Sequence, residues 1–416
     1  MYHAPRGTSD VLPEDQPYWQ VVEQTGQSVA RLFGYRRVRT PLFESADLFV
    51  RGVGIGTDIV EKEMYTFEDR GGESLTLLPE GTASICRAYL EHGMASLPQP
   101  VRLFYHTPIF RYERPQSGRY RQHHQFGVEA LGDEDPSVDA EVIELGWRYL
   151  TGLGLRELSL YLNSIGDFRC RPAFVDALKQ YYQPLKDSVC TECRVRLERA
   201  PLRLLDCKED SCQILAKQAP HTLDYLCSDC NDHWQNLIIY LDELGIPYTV
   251  NHGLVRGLDY YTRTVFEIKP HEEGSQTTIL AGGRYDGLIE ELGGRPTPGI
   301  GFGSGIERIV LNLKRQDILP PDFLLRPVVI VLLGAEAKIA GIALASHLRD
   351  EAIITLIAPS GRSLKAQMRY AGALNARHTI IIGEEELEKE IVLVRDMDHA
   401  QQKEVELGDL IKALKS

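Results

Sequence analysis

The sequence predicts an α+β domain that is interrupted by a helical insertion and followed by a small α/β domain. Three observations carry that reading. Strand-like runs at 101–113 and 123–131 flank Gly118, which reads as a hairpin with a long basic loop. Residues 167–250 turn helical and hold most of the chain's eight cysteines. Beyond Pro320, Pro321 and Pro327, the apolar runs Val328–Leu333, Ile353–Ile357, Thr379–Ile382 and Ile391–Val394 alternate with helical segments. That alternation implies a largely parallel sheet.

Along the chain, Trp19, Val22, Val29, Leu32 and Phe33 recur at helical spacing, so a loop and an amphipathic helix open the sequence. Val38–Phe43 reads as a strand in which Pro41 marks an edge or an interruption. A further strand is expected at 75–78. After the hairpin, Asp135-Pro136-Ser137 punctuates, and a helix is expected from Val138 to about Leu150. Strand and glycine patterns resume at Thr264–Lys269, Thr277–Ala281 and Pro298–Gly305. We therefore read 1–166 and 251–318 as one domain, 167–250 as its insertion, 319–327 as a linker and 328–416 as the second domain.

With 43% hydrophobic and 25% charged residues, the 416-residue chain has the balance of a soluble globular protein. No apolar run approaches the roughly 18 residues of a membrane helix. The N-terminus lacks the apolar core of a secretion signal. The expectation is a cytoplasmic protein with no membrane partner. A net charge of −13 argues against indiscriminate nucleic-acid binding, but local patches decide such matters. Arg111, Arg114, Arg119 and Arg121 face one acid, Glu113, within 111–125. Arg362, Lys365, Arg369 and Arg377 stand without an acid in 358–378.

The glycines exclude the common nucleotide scaffolds. Thr57 and Ser304 stand where the dinucleotide fingerprint needs its third glycine, and no Gly-Lys pair exists for a phosphate-binding loop. What remains is Phe110-Arg111-Tyr112-Glu113 ahead of the basic loop, and Gly301-Phe-Gly303-Ser-Gly305-Ile-Glu307-Arg308 almost two hundred residues later. A guanidinium suits a phosphate. Alternate glycines leave one strand face bare, so a flat ring could lie against backbone. In this order, the two elements resemble motifs 2 and 3 of class II aminoacyl-tRNA synthetases. The helix and strand ending at Pro41 resemble motif 1, the dimer-forming element.

Two further blocks, Leu254–Thr262 (LVRGLDYYT) and Gly282–Leu288 (GGRYDGL), resemble those peculiar to the histidyl-tRNA synthetase family. Ala4–Thr8, Leu78–Thr82, Gln125–Glu129 and Ser363–Gln367 add to the likeness, which spans nearly the whole chain. It implies a catalytic domain on an antiparallel sheet (the class II fold), a C-terminal anticodon-binding domain, and a homodimer that joins L-histidine to tRNA-His with ATP and Mg²⁺. It also implies roles. Arg111 holds the ATP α-phosphate and the histidine carboxylate, Arg256 faces the same phosphate as the catalytic arginine, Glu113 contacts the adenine side, and Arg308 grips the γ-phosphate. Glu80, Thr82 and Gln125 bind the histidine amino group, Glu129 and Tyr261 bracket the imidazole, and Tyr260 and Tyr285 line the pocket. In this family the loop bearing Arg114, Gln116, Arg119 and Arg121 reads the extra 5′ guanosine at the tRNA acceptor end.

Chemistry agrees independently. Histidine is a zwitterion whose ring donates and accepts, so its pocket needs a carboxylate, a phenol and an amide. Buried polar groups left unpaired by other amino acids would reject them by about 10⁴-fold or more, so no editing domain is needed. Adenylation needs no general base, because the attacking carboxylate is already an anion; it needs positioning and charge neutralisation.

Cys190, Cys193, Cys227 and Cys230 form two Cys-x-x-Cys pairs that could supply a tetrahedral zinc site. Their separation exceeds the usual span of roughly 15–20 residues. The family's insertion varies and carries no general metal. Reduced thiols are therefore preferred to zinc, with Cys86 and Cys170 read as core. A second reading is the non-catalytic paralogue that regulates ATP phosphoribosyltransferase. It typically lacks the C-terminal domain and has degraded blocks, whereas both are present here. Prolyl, threonyl or glycyl specificity would leave the Arg256 and Tyr285 blocks unexplained.

Overall fold

The computed structural model describes every residue except 1, 55–56, 117, 272–277, 321–325, 360 and 416. The chain divides into two compact units, Met1–Pro321 and Asp322–Ser416.

The first unit is built on an eight-stranded sheet. Its strands run in the order Arg36–Arg37, Val101–Phe110, Gln122–Leu131, Gly299–Gly305, Leu280–Arg284, Thr262–Pro270, Leu158–Ser164 and Tyr248–Val250. The two edge pairs are parallel and every inner pair is antiparallel. The long hairpin expected from the sequence is the pair Val101–Phe110 and Gln122–Leu131, with Phe104 opposite Val128.

Successive strand residues point to opposite faces, and here that parity sorts core from site. Even-numbered Phe104, Phe126, Val128, Phe266 and Phe302 pack under the helices Gln16–Leu32, Pro136–Gly152, Ser228–Glu243 and Ile306–Arg315. Odd-numbered Tyr105, Arg111, Gln125, Glu129, Glu267, Tyr285 and Gly303 lie on the other face.

Val38–Phe43 is not one strand. Pro41 has no N–H to pair, so Arg36–Arg37 joins the large sheet, while Phe43–Ser45 joins a three-stranded sheet with Thr66–Glu68 and Ser74–Leu77. The strand expected at Thr277–Ala281 begins at Leu280, with Thr277 outside the described residues.

The insertion is helical, as expected. Its main helices are Arg171–Tyr182, Thr191–Arg199, Asp210–Ala216 and Ser228–Glu243. The last one donates His233 to the underside of the sheet. There Nε2 of His233 lies 2.9 Å from Oδ2 of Asp139.

The second unit carries a five-stranded sheet in the order Thr355–Ile357, Val328–Leu332, His378–Ile382, Ile391–Asp396 and Gln402–Glu406. Only the first three strands are parallel; the last two pairings are antiparallel, which corrects the expectation of a largely parallel sheet. The fifth strand, Gln-Lys-Glu-Val-Glu, was hidden because a charged edge strand buries only Val405. Gln367 is fully buried and closes the end of the strand Val328–Leu332, accepting from Leu332 N at 3.1 Å and donating to Leu332 O at 2.9 Å. Arg362, Lys365, Arg369 and Arg377 are all exposed.

Candidate active site

The odd-numbered face carries a cavity of about 330 Å³, within the usual range for small-ligand sites. Its wall gathers residues from almost the full length of the first unit: Glu80, Thr82, Arg111, Glu113, Arg119, Gln125, Arg256, Tyr260, Tyr261, Tyr285 and Arg308. Arg114, Gln116, Arg121 and Glu129 do not line it.

At one end lies a polar nest. The Glu80 carboxylate accepts from Thr82 N at 2.8 Å and Ala83 N at 2.7 Å, so it caps the first turn of the helix Thr82–Glu91. Thr82 Oγ1 donates to Glu129 at 2.8 Å, Tyr105 donates to the same oxygen at 3.3 Å, and Tyr285 donates to the other. Glu129 is only 1% exposed and sits behind these hydroxyls. Burial pushes its carboxyl up to about 8, and Glu80 nearby adds to the effect. Tyr260 lies 4.7 Å from Tyr261 with the rings tilted by 46°, and meets Tyr285 edge-on at 5.6 Å.

The glycines serve this nest in a way the sequence reading did not anticipate. A Cβ at Gly301 would collide with the Glu129 carboxylate, and one at Gly303 with the Gln125 amide. The strand Gly299–Gly305 is therefore bare because its neighbour's side chains lie across it. Only at Gly305 is the space open, with Arg308 Cγ 3.9 Å away.

The wall also carries cations. Arg111 is anchored by donating from Nε to Pro79 O at 2.7 Å. Arg308 donates to Gly118 O at 2.8 Å and Thr278 O at 2.7 Å. Burial, then Arg119 and Arg111, lowers the Arg308 pKa. His123, also on the wall, is driven down to about 3 by burial and by Arg111 and Arg308. Such a field suits a polyanion. Arg256 donates from Nη1 to Glu267 at 2.5 Å, while its Nε is buried without a hydrogen-bond partner.

In the basic loop, Arg119 pairs with Glu113 and forms a two-way backbone bridge with Gln116 at 2.9 and 3.1 Å. Arg121 folds back, its guanidinium 3.9 Å from the Tyr112 ring centre, so it braces the loop. Arg114 and Gln116 are exposed.

The sequence reading missed Glu267, which holds Arg256, and Tyr105, which fills the space over Gly127 and Gly81. Strand parity could have found both. The zinc grouping is also corrected: Cys190 and Cys193 meet Cys207 and Cys212, while Cys227 and Cys230 meet Cys170 and Asp167. Each Cys-x-x-Cys pair opens a different helix, which keeps the pairs apart, and Cys170 is not simply core.

Known proteins resemble this chain along its whole length. A family model described as histidyl-tRNA synthetase matches residues 7–309, and one described as anticodon binding domain matches 327–416. A histidine–tRNA ligase of Dehalococcoides mccartyi is 56% identical over 100% of this chain and 99% of its own. One from Desulforamulus reducens is 50% identical over 99% and 98%. The crystal structure of apo S. aureus histidyl-tRNA synthetase is similar with a TM-score of 0.84 at 39% identity, covering 100% of both chains. The chain belongs to the histidyl-tRNA synthetase family.

Proposed function

We propose that this protein is a histidine–tRNA ligase: it activates L-histidine with ATP, releasing diphosphate, then transfers histidine to the 3′ end of tRNA-His, releasing AMP. One observation carries the reading. Two arginines from distant parts of the chain, Arg111 and Arg256, line one cavity together with the carboxylate and phenols of Glu80, Tyr260, Tyr261 and Tyr285.

Histidine enters the nest with its amino group toward Glu80, Thr82 and Gln125 and its ring toward Tyr261 and Glu129. Its carboxylate oxygen attacks the α-phosphorus in line, the bond to the diphosphate oxygen breaks, and Arg111 and Arg256 neutralise the growing charge. Glu267 holds Nη1 of Arg256 and so fixes the guanidinium at the cavity wall. Arg308 takes the γ-phosphate, and Glu113 the adenine side. In the second step a terminal ribose hydroxyl attacks the histidyl carbonyl and AMP leaves.

Magnesium travels with ATP and supplies further charge neutralisation. It would take its oxygen ligands from the ATP phosphates and water, because Glu113, Glu267 and Glu307 on the wall are already engaged by Arg119, Arg256 and His124. The exposed patch of Arg362, Lys365, Arg369 and Arg377 meets the anticodon. The enzyme acts in the cytoplasm as a homodimer, a reading supported by exposed apolar Leu32, Leu42 and Phe43 in the element that resembles motif 1. The regulatory reading is set aside, because the chain retains both signature blocks and the anticodon-binding match.

The test is amino-acid-dependent ATP–diphosphate exchange across all twenty amino acids. Only histidine should register; exchange with another amino acid, or none, would refute the proposal.

A further inference from the structure

Four thiols of the insertion converge on one point. Cys190 caps the helix Thr191–Arg199 and Cys193 lies in its first turn. Cys207 follows the turn Pro201–Leu204, and Cys212 sits in the helix Asp210–Ala216. All four sulfurs lie within 4.8 Å of one another, and those of Cys190 and Cys207 are 3.8 Å apart. A tetrahedron with an edge of that length has corners about 2.3 Å from its centre, which is the zinc–thiolate distance. Disulfide sulfurs would stand at roughly 2.05 Å instead.

The backbone is arranged for thiolates. Cys193 N donates to the Cys190 sulfur at 3.4 Å, and Cys190 N donates to the Cys212 sulfur at 3.3 Å. Cys193, Cys207 and Cys212 are at most 7% exposed, so water cannot readily solvate four charges there. The helices that present them have only 9 and 7 residues, too short to persist without tertiary support.

We propose that Cys190, Cys193, Cys207 and Cys212 bind one structural zinc ion, each thiol giving its proton to solvent as its sulfur bonds the metal. The ion staples together three short elements whose apolar residues, Leu197, Leu204 and Leu205, pack into the core of the first unit. The stapled segment also abuts the active-site loop. Arg203 Nη2 lies 3.4 Å from Asp58, a Cβ on Gly257 would meet Arg203 at 3.6 Å, and one on Gly253 would meet Leu205 O at 3.5 Å. Zinc thereby buttresses the 253–257 loop that presents Arg256.

The second thiol group differs. Asp167 accepts from Arg169 N at 2.9 Å, from Nε at 3.1 Å and from Nη2 at 2.7 Å. Its carboxylate is already committed, so the proposal is confined to the four-cysteine group.

The experiment is metal analysis of the untagged, full-length protein purified without chelators. One equivalent of zinc per chain is expected, released by a mercurial thiol reagent. Cobalt substitution should give thiolate-to-metal charge-transfer and tetrahedral d–d absorption. Cys212→Ser should lose the equivalent and Cys227→Ser should keep it. Wild-type protein without stoichiometric zinc, even when expressed and refolded with added zinc, would overturn the proposal. So would an equivalent that survives Cys212→Ser and disappears in Cys227→Ser. Neither outcome depends on whether the protein charges tRNA.

Discussion

Asp139 and Glu129 are both buried carboxylates serving the same sheet, yet they are held in opposite states. Asp139, under the even-numbered face, is fully buried, and burial alone would raise it; Arg284 and His233 more than offset that and hold it at about 2. Glu129, on the odd-numbered face, meets only hydroxyls and another acid, and stays near 8. The first has its cation built into the fold. The second has none among the described residues, and in the proposed pose it is the histidine ring that lies on its side of the nest. A closed charge pair marks structure; an open one marks a site.

The two arginines repeat the contrast and give the largest predicted effects. Arg284 has no exposed surface; it pairs with Asp139 and Asp286 and donates to the carbonyls of Asp133 and Asp135. Arg284→Ala leaves the fully buried Asp139 with only His233 and Thr264, and removes the donors to two backbone carbonyls, so it should cost up to about 3–5 kcal/mol of stability, read as a large fall in melting temperature. Arg256→Ala should do the reverse. Glu267 would keep Lys269 at 2.7 Å and Thr278 at 3.1 Å, so the melting temperature should hold. Histidine-dependent diphosphate exchange should fall about 10²–10³-fold, as for loss of one preorganised donor. If Arg256→Ala melts early and exchanges at the parental rate, the assignments of the two arginines are interchanged.

The carboxylates predict opposite pH limbs in thermal melts of the ligand-free protein. Asp139 is depressed, so its contribution is present above the ordinary carboxylate range and is lost as pH falls through about 2. Glu129 is raised, so its contribution is full below the ordinary range and is lost as pH rises through about 8. The loss accumulates between the ordinary carboxylate range and about 8 and should be on the order of a few kcal/mol, and Glu129→Gln should flatten it. A wild-type decline over that range that Glu129→Gln leaves unchanged would mean that Glu129 is already ionised at neutral pH.

How far the sequence revealed these features depended on the range of the interaction. The hairpin and the helix Pro136–Gly152 were legible because periodicity and turn residues act within a few positions. Arg111, Arg256 and Tyr285 could be nominated only through family blocks, because nothing in local spacing brings residues so distant together. Pairings across the sheet stayed hidden. Gln125 lying across Gly303, Tyr105 between two glycines, and the separate partners of the Cys-x-x-Cys pairs all depend on strand and helix neighbours that no short window contains.

The smallest effect concerns the loop between the hairpin strands. Gln116 and Arg114 are exposed, off the cavity wall, and outside every charge pair described above. Gln116 meets Arg119 through backbone atoms, so Gln116→Ala leaves that bridge intact. Neither substitution should move the melting temperature or diphosphate exchange. Each should lower tRNA aminoacylation by about tenfold, the loss of a contact worth roughly 1–3 kcal/mol. Arg121→Ala is the control within the same loop: it removes the brace on Tyr112 and should impair both reactions together. Equal losses in both assays for Gln116→Ala would mean that the loop acts on the cavity instead of on the acceptor end. The distinction between residues that complete the fold and residues that await a partner would then fail at the one place where both occur side by side.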